Sequence, residues 1–315
     1  MPRPSPLPLL LLLACVPAPV DDTGDTGGAS TGEPTTADAP PVCEPFEPYV
    51  IDVQAEPNGL YWRADEAALY IADDDNNRIL RRADDGTSSV FAAIPSPNDN
   101  PGADGLGDLD FAADGALYVP RFGFGVPDLG AIFRVAPDGT PTALAGVDPA
   151  WRRVGLDYDE ARGLLYVATF SKDSEGMFSG WVSTVDPVAG EEEILVEGLS
   201  KPVGVAVVGD TLYVGDQNLQ LLYRVDLTAE PPALAVVSDE FKNLDLMEPT
   251  ADGDLLLLSY DPATSTGRVY RVAPDGAYTT LAEGDWEPRG ITFDGVSKIY
   301  VSARDTQTIV VVPAC

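Results

Sequence analysis

Two classes of side chain that usually supply nucleophiles and general bases are scarce here. The 315 residues contain no histidine, and the thiols number three: Cys15, Cys43 and Cys315. Without an imidazole there is no Ser-His-Asp triad and no histidine base, so any hydrolysis would rest on carboxylates and a bound metal. The other chemistry-bearing pattern sets arginines beside aromatic residues in Gly- and Pro-rich segments. Arg121 and Phe122 stand in "RFGFG", Trp151 and Arg153 in "PAWRRVG", Phe170 in "TFSKD", and Trp286 and Arg289 in "GDWEPRG". A guanidinium offers forked, charge-assisted hydrogen bonds to a carboxylate, and an aromatic face stacks on a sugar or an apolar group. These seven residues form a candidate binding set for a small anionic or carbohydrate ligand, or for a protein partner. The same cations could instead neutralise acidic neighbours such as Asp104, Asp108 and Asp305, and the sequence leaves both readings open.

Asp and Glu outnumber Lys and Arg by 51 to 19, a net charge of -32, and such a chain lacks the basic footprint that a phosphate backbone requires. Nucleic acid is therefore excluded as a partner. Gly 30 and Pro 29 punctuate many short segments, and no long stretch carries apolar residues at helical spacing. The composition points to an all-β chain, expected to be a monomer.

At the amino terminus, Arg3 followed by the apolar run Leu7 to Ala14 reads as an export signal, too short to span a bilayer. "LLAC" (Leu12 to Cys15) resembles the bacterial lipobox, although Leu13 is bulkier than the small residue usual at that place. The resemblance implies that Cys15 becomes the lipidated first residue, anchored in membrane lipid. Val16, in place of Asp, implies an outer-membrane address on the periplasmic or cell-surface side. An ordinary signal peptide cut at a nearby Ala is the alternative. Residues 16–42 are Asp, Thr, Gly, Pro, Ser and Ala almost throughout and cannot bury enough apolar area to offset chain entropy, so they read as a tether. The expected organisation is a signal over 1–15, a tether over 16–42 and one domain over 43–315.

That domain repeats. A Gly-hydrophobic start, an "LYV"-like strand, a "YRV"-like strand and often a "PDG" turn recur, with Tyr70, Tyr118, Tyr166, Tyr213, Leu256 and Tyr300 at equivalent places. A period in the forties with about four strand-like segments is the mark of a propeller blade. A β-sandwich gives no reason for six copies in register. The expected fold is all-β: a six-bladed β-propeller with an N-terminal strand completing the last blade. The sixth repeat ends after its third strand, "TIVVVP", and the unassigned strand-like piece is "PYVIDVQ", Pro48 to Gln54. Pairing the two closes the ring and places Cys43 and Cys315 at one end of an antiparallel pair. In an exported protein these two thiols are expected to form a disulfide. Closing a loop of roughly 270 residues gives at most roughly 5 kcal/mol in the chain-entropy account.

The segments "PNGLYW", "LYIADDDNNRI", "PRGITFDG" and "IYVSARD" resemble NHL repeats and the SMP-30/gluconolactonase-like six-bladed propellers. The resemblance covers nearly the whole domain and specifies fold better than function. It implies that a hydrolytic member would hold a divalent cation such as calcium at the axial mouth, on oxygen ligands from the starts of inner strands. Asn58, Asp108 and Asp245 are the matching candidates. Val154, Val203 and Arg289 depart from the pattern, because valine cannot ligate and an arginine opposes a cation. Two functional expectations stand: a non-enzymatic envelope binding module, and a divergent metal-dependent lactonase-like hydrolase. "DDDNNR" (Asp73 to Arg78) reads as a tight turn, and the loop Asn98 to Asp108 as turn-rich, with a calcium loop as its alternative. Arg81, Arg134, Arg224 and Arg271 read as exposed alternates on third strands.

Overall fold

The computed structural model describes residues 45–96, 105–123 and 129–315. Among these residues, twenty-four strands, numbered β1 to β24 in chain order, form six four-stranded antiparallel sheets. Each sheet corresponds to one sequence repeat, and the fold is an all-β six-bladed propeller. The strands nearest the axis are β2 (Pro57–Arg63), β6 (Asp110–Phe111), β10 (Arg152–Asp159), β14 (Pro202–Val208), β18 (Leu244–Pro249) and β22 (Pro288–Phe293).

The second strand of each blade is apolar on both faces because a neighbouring blade covers each face. In β3 (Ala68–Asp73), Ala68, Tyr70 and Ala72 pack towards Leu117, Val119 and Phe133 of the next blade. Leu69 and Ile71 pack towards Tyr300, Ile309 and Val311 of the last blade. The repeat markers share one register: Tyr70 stands opposite Arg81, Tyr118 opposite Arg134, Tyr213 opposite Arg224 and Leu256 opposite Arg271. Three of these arginines are more than exposed alternates. Each reaches back to an acid near the turn before the second strand: Arg81 to Glu66 at 2.8 Å, Arg134 to Asp114 at 2.6 Å and Arg271 to Asp254 at 2.6 Å.

The ring closes through shared strands. β22, β23 (Lys298–Ala303) and β24 (Thr308–Pro313) form three strands of the last blade, and β1 (Tyr49–Asp52) adds the fourth antiparallel to β24. Tyr49 stands opposite Val311 and Asp52 opposite Thr308. Four residues pair, fewer than Pro48 to Gln54, and β24 thereby loses an open edge. Cys315 lies two residues beyond β24. The export signal, Cys15, the tether and Cys43 lie outside the described residues, as does most of the loop from Asn98 to Asp108.

Ile309 is 0% exposed beneath the closing strand, whereas Val50 on the strand itself is 61% exposed. Ile309→Ala should lower the unfolding free energy by about 3 kcal/mol, the usual cost of emptying a buried aliphatic site. Val50→Ala should change it by about 0.5 kcal/mol or less. Urea titration of both variants checks the pair.

Candidate binding site at the axial mouth

Inner strands that converge on one axis approach so closely that five of the six crossing points carry glycine, with Leu246 in the fifth blade. A Cβ on Gly107 would lie 2.1 Å from the Val154 carbonyl oxygen, and one on Gly59 would lie 2.3 Å from that of Gly107. Glycine is the residue that fits. These strands are not neighbours in a sheet, so their inward backbone groups need other partners. The Gly59 N–H donates to the Gly107 carbonyl at 3.2 Å, and the Asp108 N–H to that of Val154 at 2.9 Å. Farther along, side chains of one blade accept from the next: Asp110 from the Tyr158 N–H at 2.6 Å, Asp157 from the Val207 N–H at 2.5 Å and Thr292 from the Trp62 N–H at 3.0 Å.

This arrangement concentrates acid in the channel. Burial pushes Asp108, Asp110 and Glu248 well above the ordinary carboxylate range, and like charges reinforce it: Asp157 and Asp245 on Asp108, Asp157 and Glu248 on Asp110, Asp108 and Asp157 on Glu248. Asp157 is raised by burial as well, although the Val207 N–H and a hydrogen bond shared with Asp110 hold it lower than its partner. A proton shared between Asp110 and Asp157 satisfies both.

At one end the channel opens into a cavity of about 370 Å³. The residue preceding the crossing point of each blade lines it: Asn58, Leu106, Val154, Val203, Asp245 and Arg289. A second tier comes from the place four residues after the repeat marker, just past the second strand. Tyr70 leads to Asp74, Tyr118 to Phe122, Tyr213 to Gln217 and Tyr300 to Arg304. Lys201, two residues before Val203, completes the charged lining.

Arg289 donates from Nη1 to Asp245 at 2.9 Å and from Nη2 to Glu287, while its Nε is buried with no hydrogen-bond partner. Burial works against the Arg289 charge, but Asp245 and Glu287 outweigh it and raise its pKa. Arg304 bonds Glu56 and stands 3.6 Å from Asp74. Asp74 turns inward and accepts the Leu106 N–H at 2.8 Å. Burial raises its pKa to about 6, opposed by that N–H and by Arg304 and assisted by Glu56 and Asp75. The "DDDNNR" segment is thus more than a turn, since its second Asp lines the mouth. Lys201 Nζ donates to Gln217 Oε1 and lies 5.7 Å from the centre of the Phe178 ring. Burial lowers the Lys201 pKa, with Arg289, Lys172 and Arg152 adding to the effect and Asp245 opposing it. Among the described residues no carboxylate comes within ion-pair distance of this amine.

Of the seven arginine and aromatic candidates, Phe122 and Arg289 line the cavity. Arg121 donates to the carbonyls of Leu129 and Pro95, each at 2.8 Å, and stacks over Phe133. Arg153 is 0% exposed, paired with Glu192 at 2.6 Å and donating to the carbonyls of Asp148 and Trp151. Trp151 meets Trp181 edge-on at 4.9 Å. Phe170 is fully buried between Phe122 and Phe178, and Trp286 covers Gly267 and Gly284 at the edge of its blade. These five residues hold loops rather than face the cavity.

The metal candidates separate too. Asn58 and Asp245 stand at the mouth, but Leu106 takes the second blade's place in the ring and Asp108 lies two residues farther along. Asn58 spends its amide N–H on the Leu106 carbonyl at 2.6 Å, and Asp245 is held by Arg289. Among the described residues no group of three Asp, Glu, Cys or His side chains converges as metal ligands. The donors present do not fit a divalent ion bound as the resemblance implies. Lys201, Gln217, Asp74 and Arg304 were outside the candidate set. The marker-plus-four position is the sequence signal that reaches three of them.

No protein-family model matches the sequence, and no curated protein matches it. Solved structures share the fold at low identity. A gluconolactonase from Xanthomonas campestris is 17% identical with a TM-score of 0.66, over 87% of this chain and 96% of that one. Regucalcin from Agrobacterium tumefaciens, a calcium-binding protein, is 16% identical with a TM-score of 0.62, over 84% and 92%. A streptogramin B lyase is 13% identical with a TM-score of 0.58, over 84% and 96%.

The channel acids set a pH dependence. Between the ordinary Glu value and the raised one, folded protein keeps a Glu248 proton that the unfolded chain has released. Stability from this group is therefore present at low pH and lost as pH rises through that window. Glu248→Gln should raise the melting temperature at pH 7 and leave it nearly unchanged at pH 4. Calorimetry at the two values measures it.

Proposed function

We propose that the axial mouth is a binding site for a small anionic ligand, and that the protein is a non-enzymatic binding module. The observation that carries this reading is Arg289. It occupies the sixth ring position and neutralises the one ring carboxylate, while the Lys201 amine lines the same cavity, bonded to Gln217 and with no carboxylate at ion-pair distance among the described residues. A cavity whose ring carboxylate is paired with an arginine and whose lining adds Lys201 and Arg304 favours an anion over a cation. Leu106, Val154, Val203 and Phe122 supply apolar wall for a short carbon skeleton, and the volume suits a small molecule.

A second reading, a divergent metal-dependent lactonase, draws support from the fold shared with the gluconolactonase and regucalcin structures and from Asn58 and Asp245 at the mouth. It requires Asp245 to exchange Arg289 for a metal ion. A calcium- or zinc-dependent melting shift together with turnover of a lactone panel would establish it over the binding module.

For cellular placement, we propose an exported protein anchored through Cys15, tethered by residues 16–42 and clasped by a Cys43–Cys315 disulfide. Support comes from "LLAC", from the polar tract and from Cys315 being disulfide-bonded with Cys43 the other thiol beyond the signal. Among the described residues no helix is long and apolar enough to cross a membrane. Non-reducing peptide mapping should yield a joined Cys43–Cys315 peptide, and two free thiols would remove the clasp.

Isothermal titration with small carboxylates, sugar acids and neutral sugars tests the site. Carboxylates should bind and neutral sugars should not. Arg289→Ala and Lys201→Ala should each weaken binding roughly 10- to 100-fold, the scale of a lost charge-assisted bond, whereas Arg121→Ala should have little effect. Carboxylate affinity should rise as pH falls through about 6, because Asp74 loses its negative charge there, and Asp74→Asn should flatten that dependence. Affinity indifferent to both cations would move the site elsewhere.

A further inference from the structure

Lys201 has a chemical capacity that anion binding leaves unused. The chain holds four lysines, Lys172, Lys201, Lys242 and Lys298, and Lys201 alone lines the cavity. Its amine donates to Gln217 Oε1, and the Gln217 amide N–H in turn donates to the Leu244 carbonyl at 3.2 Å and reaches Asp245 at 3.5 Å. That chain fixes the amide so that its oxygen faces the amine. An amine held as a hydrogen-bond donor keeps its lone pair free once deprotonated. Burial and the nearby cations Arg289, Lys172 and Arg152 favour the deprotonated form relative to an exposed lysine. Around it the cavity sets the apolar wall of Leu106, Phe122, Val154 and Val203, the guanidiniums of Arg289 and Arg304, and the polar groups of Asn58, Asp74, Gln217 and Asp245.

We infer that Lys201 captures carbonyl compounds as an imine, and that the ligand class of the mouth is a small carboxylate bearing a ketone or aldehyde beside it, such as a 2-oxo acid. This rests on the anion-binding reading, since Arg289 and Arg304 provide the carboxylate grip that brings the carbonyl carbon to Nζ. The neutral amine attacks that carbon through its lone pair, and the carbonyl π bond breaks onto oxygen. One N–H proton passes to the oxygen to give a carbinolamine. A proton from solvent then converts the hydroxyl into departing water while nitrogen, keeping its other hydrogen, forms the C=N bond. One amine, one carbonyl compound and one proton become one protonated imine and one water, with no redox change. Apolar walls slow the return of water, and hydrolysis releases the same carbonyl compound, so capture is reversible.

The experiment uses the full chain with pyruvate or glyoxylate as probe and cyanoborohydride to reduce any imine to a stable secondary amine, followed by peptide mapping. Reduced adduct should accumulate on Lys201 at least about tenfold faster than on Lys172, Lys242 or Lys298, as for a desolvated amine against exposed ones. Arg289→Ala should slow Lys201 labelling by pyruvate but not by an uncharged aldehyde. Lactate, a carboxylate without the carbonyl, should bind the unaltered chain, leave no reducible adduct on Lys201 and slow its labelling by pyruvate. Lactate binding with Lys201 labelled no faster than the other lysines would overturn carbonyl capture and leave the anion site standing. Loss of both lactate binding and selective labelling would overturn both.

Discussion

The close approach of six inner strands to one axis is the constraint on which the rest of the molecule depends. Strands that converge without forming a common sheet leave little room for side chains where they cross and cannot satisfy one another's backbone groups in a regular ladder. Glycine at 59, 107, 155, 204 and 290 meets the first condition, and carboxylates and a hydroxyl reaching from blade to blade help meet the second. The solution is electrostatically expensive. Asp110 and Asp157 are retained in a confined channel because each accepts a backbone N–H of the next blade, and the proton they share makes the pair tolerable. Asp110 and Asp157 thus answer a need of the ring for acceptors, a need that Thr292 meets with a hydroxyl.

That interior explains the character of the mouth. A column of acids below would favour cations at its opening, yet the opening is built from Arg289, Arg304 and Lys201. Asp245 joins the two regions, facing Arg289 at 2.9 Å above while interacting with Asp108 below. The arginine thus caps the acidic column and at the same time lines the cavity. In a protein of net charge -32 such a placement turns a strongly acidic molecule locally receptive to anions.

The blade repeat was legible because its cause is local and recurrent. A second strand buried on both faces must be apolar throughout, so "LYV" recurs, and each turn needs its Gly or Asp. Ring closure could be read from the missing strand of the last repeat, because an unpaired β24 would expose a hydrophobic edge. The mouth was harder to read for a physical reason. Arg121, Arg153 and Arg289 share residue type and a neighbouring aromatic or Gly, yet Arg153 is spent on Glu192 and two carbonyls, and Arg121 on the carbonyls of Leu129 and Pro95. Residue type does not encode whether a guanidinium is consumed by its own loop. Position within the repeat is the better guide: the place four residues after the marker leads to Asp74, Phe122, Gln217 and Arg304 at the mouth, although in the third and fifth repeats it leads to Phe170 and Tyr260, which do not line it.

The same repeat logic separates shared fold from shared function. The gluconolactonase, regucalcin and lyase structures share the ring at 13–17% identity, and the ring fixes where a mouth must be. It constrains most of the six lining positions little: Asn58 and Asp245 bond backbone groups of Leu106 and Leu246, whereas Leu106, Val154 and Val203 have no side-chain donor or acceptor to offer. At those positions this chain carries one amide, three aliphatic residues, one carboxylate and one guanidinium. With the carboxylate bound to the guanidinium, the charge left to meet a ligand is that of the lining cations, Lys201 foremost. Chemistry at this mouth is therefore a property of blades four and six, whose inner strands bring Lys201 and Arg289 to the opening.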